Sequence, residues 1–148
     1  MSKVSKKVIS IDPGDLRCEV LQLGNVLHIR SLCESQDAQT ALSDLPSLCP
    51  ELDRQDVYIS ACVCDINVDP IITAELLAKH VLPHMRARHD AFVIVTLKMM
   101  KNHKPKHLQQ AVTNVIQILS NSSCKEFKVV HLNANSKDER TIVCRYYC

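Results

Sequence analysis

The heptapeptide AFVIVTL at residues 91–97 constrains the fold more than any other part of the chain. It is apolar at nearly every position, so both faces of a strand built from it would avoid water. That pattern is typical of a central parallel strand that helices cover on both sides. The segment therefore predicts an open α/β sheet, with Lys98 directly at the carboxyl end of a central strand.

Strand and helix patterns alternate on either side of this segment. The β-rich runs cover residues 8–11, 26–29, 57–63, 127–132 and 141–147. Helical spacing covers residues 35–45 behind a Ser35 cap, residues 70–82 behind an Asp69 cap, and a segment that begins at Pro105. The alternation predicts mostly parallel strands with helices on both faces, and the last two strands are close enough to pair antiparallel.

Composition bounds the class of protein. The 148 residues fit a single domain over residues 1–148, and a hydrophobic content of 46% excludes a disordered chain. A net charge of +2 is too small to indicate a nucleic-acid partner by itself. No apolar run is long enough for a membrane span, and the start MSKVSKKVIS lacks a secretory signal. We expect an intracellular protein, cytoplasmic or nuclear, with no membrane partner.

Eight cysteines raise the question of disulfides or metal. None of them forms the paired spacing of a zinc site, and Cys62 and Cys64 alternate on a predicted strand, so they share one face. Without an export signal, reduced thiols that serve as small buried hydrophobes are the better interpretation. The sequence predicts no metal site.

Polar residues at the predicted strand ends are the candidates for function. Ligands of open α/β sheets bind beyond the carboxyl ends of the strands. The residues at or beside those ends are Asp12, Arg30, Asp65, Lys98 and, before the last strand, Glu139.

Four motifs at these positions resemble the FtsJ/RrmJ family of S-adenosylmethionine-dependent RNA 2′-O-methyltransferases, from Val8 onward. VISIDPGDL resembles the second strand of that family, whose terminal acid falls on Asp12 and would hold the ribose hydroxyls of the cofactor. DVYISACVCDIN resembles the fourth strand, whose acid falls on Asp65. The resemblance implies S-adenosylmethionine as cofactor, with Asp12 and Asp65 binding it.

The other two motifs supply the remaining catalytic residues of the resemblance. FVIVTLK resembles the fifth strand and its catalytic lysine, here Lys98, and NSKDERTIVCRYY resembles the final hairpin with its glutamate, here Glu139. Asp65, Lys98 and Glu139 would then form the catalytic group. Methyl transfer to a ribose hydroxyl needs the proton removed or the developing charge stabilised, and a lysine flanked by acids suits that task.

The resemblance also implies a strand order. In the numbering of the family, the order is 3-2-4-5-7-6, with only the seventh strand antiparallel. This Rossmann-like methyltransferase sheet would lack the usual first strand, so the domain is expected to be truncated at its N-terminal side relative to the family. The second and fourth strands would pair directly, or a partner chain or a missing N-terminal segment would complete the sheet.

Several departures bear on activity. Only residues 1–7 precede the VISIDPGDL motif, and the two glycines, Gly14 and Gly24, lie after its strand. The glycine-rich loop and the upstream catalytic lysine of the family therefore have no counterpart in this sequence. Arg30 and Ser31 stand where the family has an acid after its third strand. We therefore expect weak or absent cofactor binding and activity, and the alternative is a non-catalytic interaction module that retains the fold.

A basic segment follows Lys98. Lys101, Lys104 and Lys106 could contact RNA phosphates beside the active edge. The alternative is a solvated loop, since few aromatic residues are available to stack on bases. The basic segment thus makes RNA a possible partner and leaves the solvated loop as the alternative.

Overall fold

The computed structural model describes residues 7–48, 50, 59–85, 91–99 and 105–147, apart from the side chains of residues 46, 105 and 106. The chain divides into two compact units, Met1–Asp53 and Arg54–Cys148. We call them unit 1 and unit 2 and describe each by itself. The expectation of one domain over residues 1–148 stays a prediction.

Unit 1 contains two parallel strands and three short helices, β1 (Val8–Ile11), α1 (Cys18–Leu21), β2 (Val26–Ile29), α2 (Gln36–Ser43) and α3 (Leu45–Leu48). Both strands lie where the sequence predicts them, and neither α1 nor α3 was predicted. Ser35 caps α2 as expected, because its hydroxyl oxygen accepts a hydrogen bond from the Ala38 amide at 3.2 Å. Gly24 takes a positive φ of 68° in the turn that leads into β2, a conformation that glycine adopts without strain.

Unit 2 contains a four-stranded mixed sheet and two long helices, β3 (Ala61–Cys64), α4 (Pro70–His80), β4 (Ala91–Lys98), α5 (Pro105–Asn121), β5 (Cys124–Val130) and β6 (Glu139–Tyr146). The strand order is β3-β4-β6-β5. β3 and β4 are parallel, and β6 is antiparallel to both of its neighbours. The Rossmann-like α/β fold with an antiparallel C-terminal strand is therefore confirmed.

The predicted strand order is confirmed within each sheet. Among the described strands, however, the hydrogen-bonded ladders form two sheets, with β1 paired to β2 and β3 at one end of the other sheet. The direct pairing that the sequence allowed between the second and fourth strands of the family, here β1 and β3, is absent from these ladders. β3 also begins at Ala61, later than the predicted residue 57, and residues 57 and 58 lie outside the described part of the chain.

The core of unit 2 lies between α4, α5 and one face of β4. Alternate side chains of β4 are buried there, and Leu77 of α4 and Leu119 of α5 pack into the same cluster. The buried side chains of β4 are Ala91, Val93, Val95 and Leu97. Asp69 caps α4 as predicted, since its carboxylate accepts a hydrogen bond from the Ile71 amide at 2.9 Å.

The other face of the same sheet differs from the sequence prediction. Phe92 remains 45% exposed although the run at residues 91–97 predicts a strand covered on both faces, and Val63 on the neighbouring β3 is 69% exposed. Within the described part of unit 2, α4 and α5 pack with the face that carries Val93 and Val95. The expectation of helices on both faces is thus met on one face only in this unit.

The cysteines that the structure describes are reduced thiols. Cys64, Cys124 and Cys144 are buried, as the sequence predicts, whereas Cys18 is exposed and Cys33 and Cys62 are half-buried. Burial raises the pKa of the Cys64 thiol, and a hydrogen bond with Cys124 together with burial raises that of Cys144. Cys64 and Cys144 therefore stay protonated at neutral pH and act as core residues.

Within the described ranges, no cluster of three or more metal-ligating side chains occurs, and no helix is long and apolar enough to span a membrane.

Candidate active site

Three strands of unit 2 bring the predicted catalytic residues to one edge of the sheet. Asp65 directly follows the carboxyl end of β3, and Lys98 is the last residue of the parallel neighbour β4. β6 runs in the opposite direction and begins with Glu139, which lies directly across from Lys98 in the strand register. Parallel strands share a carboxyl edge, and the antiparallel β6 begins at that edge. Residues 33 to 74 positions apart in the sequence therefore lie at one edge of the sheet.

An ion pair joins the first two of these residues. The Nζ of Lys98 lies 2.9 Å from Oδ1 of Asp65, and the Lys98 side chain is 25% exposed against 61% for Asp65. A pair this accessible stabilises the fold by about 1 kcal/mol at most. Its consequence is positional, because the carboxylate fixes the ammonium at the carboxyl edge while solvent still reaches both groups.

Glu139 is held by the turn before β6. Its Oε2 accepts a hydrogen bond from the Ser136 amide at 2.8 Å. Residues directly opposite in an antiparallel ladder project on the same side, so the carboxylate lies on the side of the sheet that also carries Lys98. In the described contacts, the ion-pair partner of Lys98 is Asp65, and Glu139 stands beside it as a second acid.

Two polar residues brace this turn, and the sequence analysis did not single them out. Asn135 Oδ1 accepts hydrogen bonds from the Leu132 amide at 2.8 Å and from the hydroxyl of Thr141 at 3.2 Å. Thr141 is buried in β6, two residues after Glu139. The only sequence signal was the polar turn itself, because an asparagine in a turn commonly bonds the nearby backbone.

Asp12 occupies the corresponding strand end in unit 1. It follows β1, it is exposed, and its Oδ1 accepts a hydrogen bond from the Gly14 amide at 2.7 Å. A Cβ atom at residue 14 would lie only 2.9 Å from that oxygen, so glycine permits the tight turn. The turn presents the carboxylate to solvent in a fixed orientation.

Arg30 has a structural partner nearby. Its guanidinium lies 2.9 Å from the Asp15 carboxylate, and both side chains are largely exposed. This is a surface ion pair, which contributes little to stability. The arginine that replaces the acid of the family thus has an acidic partner of its own in the loop after β1.

The predicted RNA-binding lysines lie outside what the structure describes. Lys101 and Lys104 fall in the undescribed residues 100–104, and Lys106 belongs to α5 but its side chain is not described. Their proposed contact with phosphates stays a prediction.

The residues present fit one end of S-adenosylmethionine. A ribose diol donates hydrogen bonds, and the exposed Asp12 carboxylate is a suitable acceptor at a strand end. Gly14 and Gly24 lie in the turns on either side of α1 and form no glycine-rich loop for the methionine end. Among the described residues, Asp12 thus offers one carboxylate of the kind that a ribose diol needs, and none forms a glycine-rich cradle for the methionine end. Cofactor binding by this chain stays a prediction.

Comparison with known proteins supports the fold. No protein-family model matches the chain, so membership of the FtsJ/RrmJ family stays a prediction. The chain is 29% identical over 146 residues to an uncharacterised protein of Methanocaldococcus jannaschii, a match that covers 98% of this chain and 36% of that protein.

Solved fibrillarin structures are similar in fold. Fibrillarin from Methanococcus jannaschii, a pre-rRNA processing protein, matches with a TM-score of 0.61 and 13% identity over 95% of this chain and 56% of that one. Fibrillarin from Aeropyrum pernix, solved with natively bound S-adenosyl-L-methionine, matches with a TM-score of 0.54 and 12% identity over 93% and 55% of the two chains. The chain thus has a methyltransferase-like fold, and it spans about a third to just over half of the length of these proteins.

Proposed function

We propose that this chain carries the catalytic edge of an S-adenosylmethionine-dependent RNA 2′-O-methyltransferase, with weak activity by itself. The observation that carries the proposal is the 2.9 Å ion pair between Lys98 and Asp65, with Glu139 directly across from Lys98. Lysine and acids at the carboxyl edge of an α/β sheet stand where ligands of such sheets bind.

Lys98 is the residue suited to act on the ribose hydroxyl. An ammonium has three N–H donors, and the described contacts use one of them on Asp65. The others can donate to a ribose oxygen and stabilise the negative charge that develops as its proton leaves. Partial burial of Lys98 strengthens that interaction relative to the same contact in bulk water.

Asp65 and Glu139 act through position and charge. Asp65 holds the ammonium in place, and the Glu139 carboxylate, hydrogen-bonded to the Ser136 amide, adds a second negative charge on the same side of the sheet. The hydroxyl proton can pass to water, because solvent reaches Asp65 at this edge. The chain itself therefore supplies orientation, charge stabilisation and a route for the proton.

The cofactor, when bound, supplies the methyl group. Asp12 would accept hydrogen bonds from its ribose hydroxyls, and Asp65 would contact it at the other strand end. Without a glycine loop, a large share of the contacts to the methionine end is missing. Affinity falls tenfold for about every 1.4 kcal/mol lost, so we propose weak binding by this chain alone.

RNA and a completing strand are the proposed partners. Lys101, Lys104 and Lys106 would contact RNA phosphates, which bind through charge and position the substrate without reading its sequence. β1 and β3 each lie at an end of their described sheets, where a strand from a partner chain or from a further N-terminal segment could pair. An RNA substrate and reduced thiols both suit the cytoplasm or the nucleus.

The product of the reaction tests this proposal. The chain is incubated with millimolar labelled S-adenosylmethionine and single-stranded RNA of mixed sequence, and with DNA of the same sequence as the control. We expect slow formation of 2′-O-methylated nucleosides from RNA and none from DNA, because only RNA has the 2′-hydroxyl. Methylated bases in either polymer would refute the proposed specificity.

The exposed side chains of Val63 and Phe92 favour a second candidate, a non-catalytic interaction module that retains the fold. Contiguous exposed apolar surface marks a site where another molecule binds. Absence of any transfer to RNA at millimolar cofactor would select this candidate over the methyltransferase.

A further inference from the structure

The face of the unit 2 sheet opposite α4 and α5 carries Lys98 and Glu139 at its carboxyl edge. Farther from that edge, the same face has a surface that the proposed chemistry does not use. We call it the open face and define it by two rows across the strands. One row contains Ala61, Phe92, Arg145 and Lys125, and the next contains Val63, Ile94, Val143 and Lys128. Paired residues of neighbouring strands project on the same side, so each row lies on a single face.

The half of the open face on β3 and β4 is apolar. Val63 is 69% and Phe92 45% exposed, and Ile94 and Val143 beside them are half-buried. A sheet that contains parallel strands usually has both faces covered. Contiguous apolar surface on a soluble protein indicates a site where another apolar surface binds.

The other half of the open face, formed by Arg145 of β6 with Lys125 and Lys128 of β5, is cationic. The Arg145 guanidinium lies 5.0 Å from the centre of the Phe92 ring, and its Nε lies 3.3 Å from Oε2 of Glu126. Lys125 and Lys128 continue the two rows beyond β6, and both are exposed. The surface is therefore apolar on one side and positively charged on the other.

We propose that the open face binds an amphipathic helix of a partner protein, with an apolar stripe over β3 and β4 and acidic residues along the flank facing β5. A helix is about 10 Å wide and strands lie about 4.8 Å apart, so one helix covers about two strands. If the helix is centred on Phe92 and Ile94, one of its flanks lies beside Arg145, Lys125 and Lys128. Charge complementarity specifies acidic residues on that flank.

The same chemistry argues against other occupants. Single-stranded nucleic acid binds by stacking its bases on aromatic rings and by phosphate contacts. Among the residues that define the open face, Phe92 is the one aromatic ring, and the Arg145 guanidinium already lies over it. A second copy of the chain would bring another row of arginine and lysine to a face that calls for acidic side chains. An acidic amphipathic helix satisfies both halves of the surface.

Two synthetic helical peptides test the proposal. They share one leucine stripe and differ in a single flank, glutamate in one and lysine in the other, and binding to the full chain is followed by fluorescence anisotropy. We expect the glutamate peptide to bind more tightly. Phe92→Ser and Val63→Ser should each weaken that binding about tenfold, and Lys128→Glu should weaken it and strengthen binding of the lysine peptide.

Leu23→Ser is the matched control, because Leu23 is 66% exposed in a turn of unit 1 and lies outside the open face. Circular dichroism checks that each variant folds. If Phe92→Ser does not fold, Val63→Ser alone tests the apolar half of the open face. Equal affinity for the two peptides would overturn the proposal. So would unchanged binding in both open-face variants, or single-stranded RNA that binds the chain and loses affinity when Phe92 is replaced.

Discussion

Replacing Lys98 with alanine is expected to lower methyl transfer to RNA by about 100-fold at saturating cofactor. The change removes the ammonium that would donate to the ribose oxygen, and loss of one such donor from a catalytic site typically costs 100-fold or more. It leaves Asp65 largely solvated, so the free energy of unfolding should change by less than about 1 kcal/mol. Initial rates with labelled cofactor and RNA measure the effect.

Lys79→Ala is the matched control for this substitution. Lys79 is exposed in the last turn of α4, away from the carboxyl edge of the sheet. It removes the same charge and the same side chain, and we expect the transfer rate to stay within about twofold of the original. Equal activity of the Lys98→Ala and Lys79→Ala variants would show that Lys98 has no role in catalysis.

Replacing Leu119 with alanine is expected to lower the free energy of unfolding by about 3 kcal/mol. Leu119 has no exposed surface and packs in the core between α5 and the sheet. The substitution loses buried apolar contacts and leaves a cavity, a combination that costs about 2–5 kcal/mol for buried leucines. Urea denaturation followed by circular dichroism measures the change.

Leu132→Ala is the control for the core, since Leu132 is 48% exposed after β5. We expect a change within about 0.5 kcal/mol for this surface position. Equal destabilisation by the two substitutions would mean that Leu119 does not lie in the core of unit 2.

The sequence predicted the fold well where local patterns decide it. Ser35 and Asp69 precede helices that they cap, and the run at residues 91–97 forms an interior strand. A continuous apolar run does not show which face is covered, because both faces look alike in sequence. The partial exposure of Phe92 and Val63 depends on which helices pack on the sheet, which is a property of the tertiary fold.

The same limit applies to the candidate site. Strand ends identified Asp65, Lys98 and Glu139 as neighbours, because parallel strands align their carboxyl ends. The ion pair between Lys98 and Asp65, with Glu139 turned to Ser136, depends on side-chain conformations that no sequence pattern specifies. The bracing of the turn by Asn135 likewise follows from contacts with Thr141 that form only in the folded hairpin.

Titration of the ¹⁵N-labelled chain with S-adenosylmethionine tests the central claim, that these strand ends keep a weakened cofactor site. We expect the amide signals near Asp12 and Asp65 to shift with a dissociation constant on the order of 1 mM. Asp12→Asn should weaken binding severalfold, and Asp15→Asn, in the same loop, should not. Binding in the low micromolar range would contradict the predicted weakness, and no shift near Asp12 or Asp65 at about 10 mM cofactor would contradict the site itself.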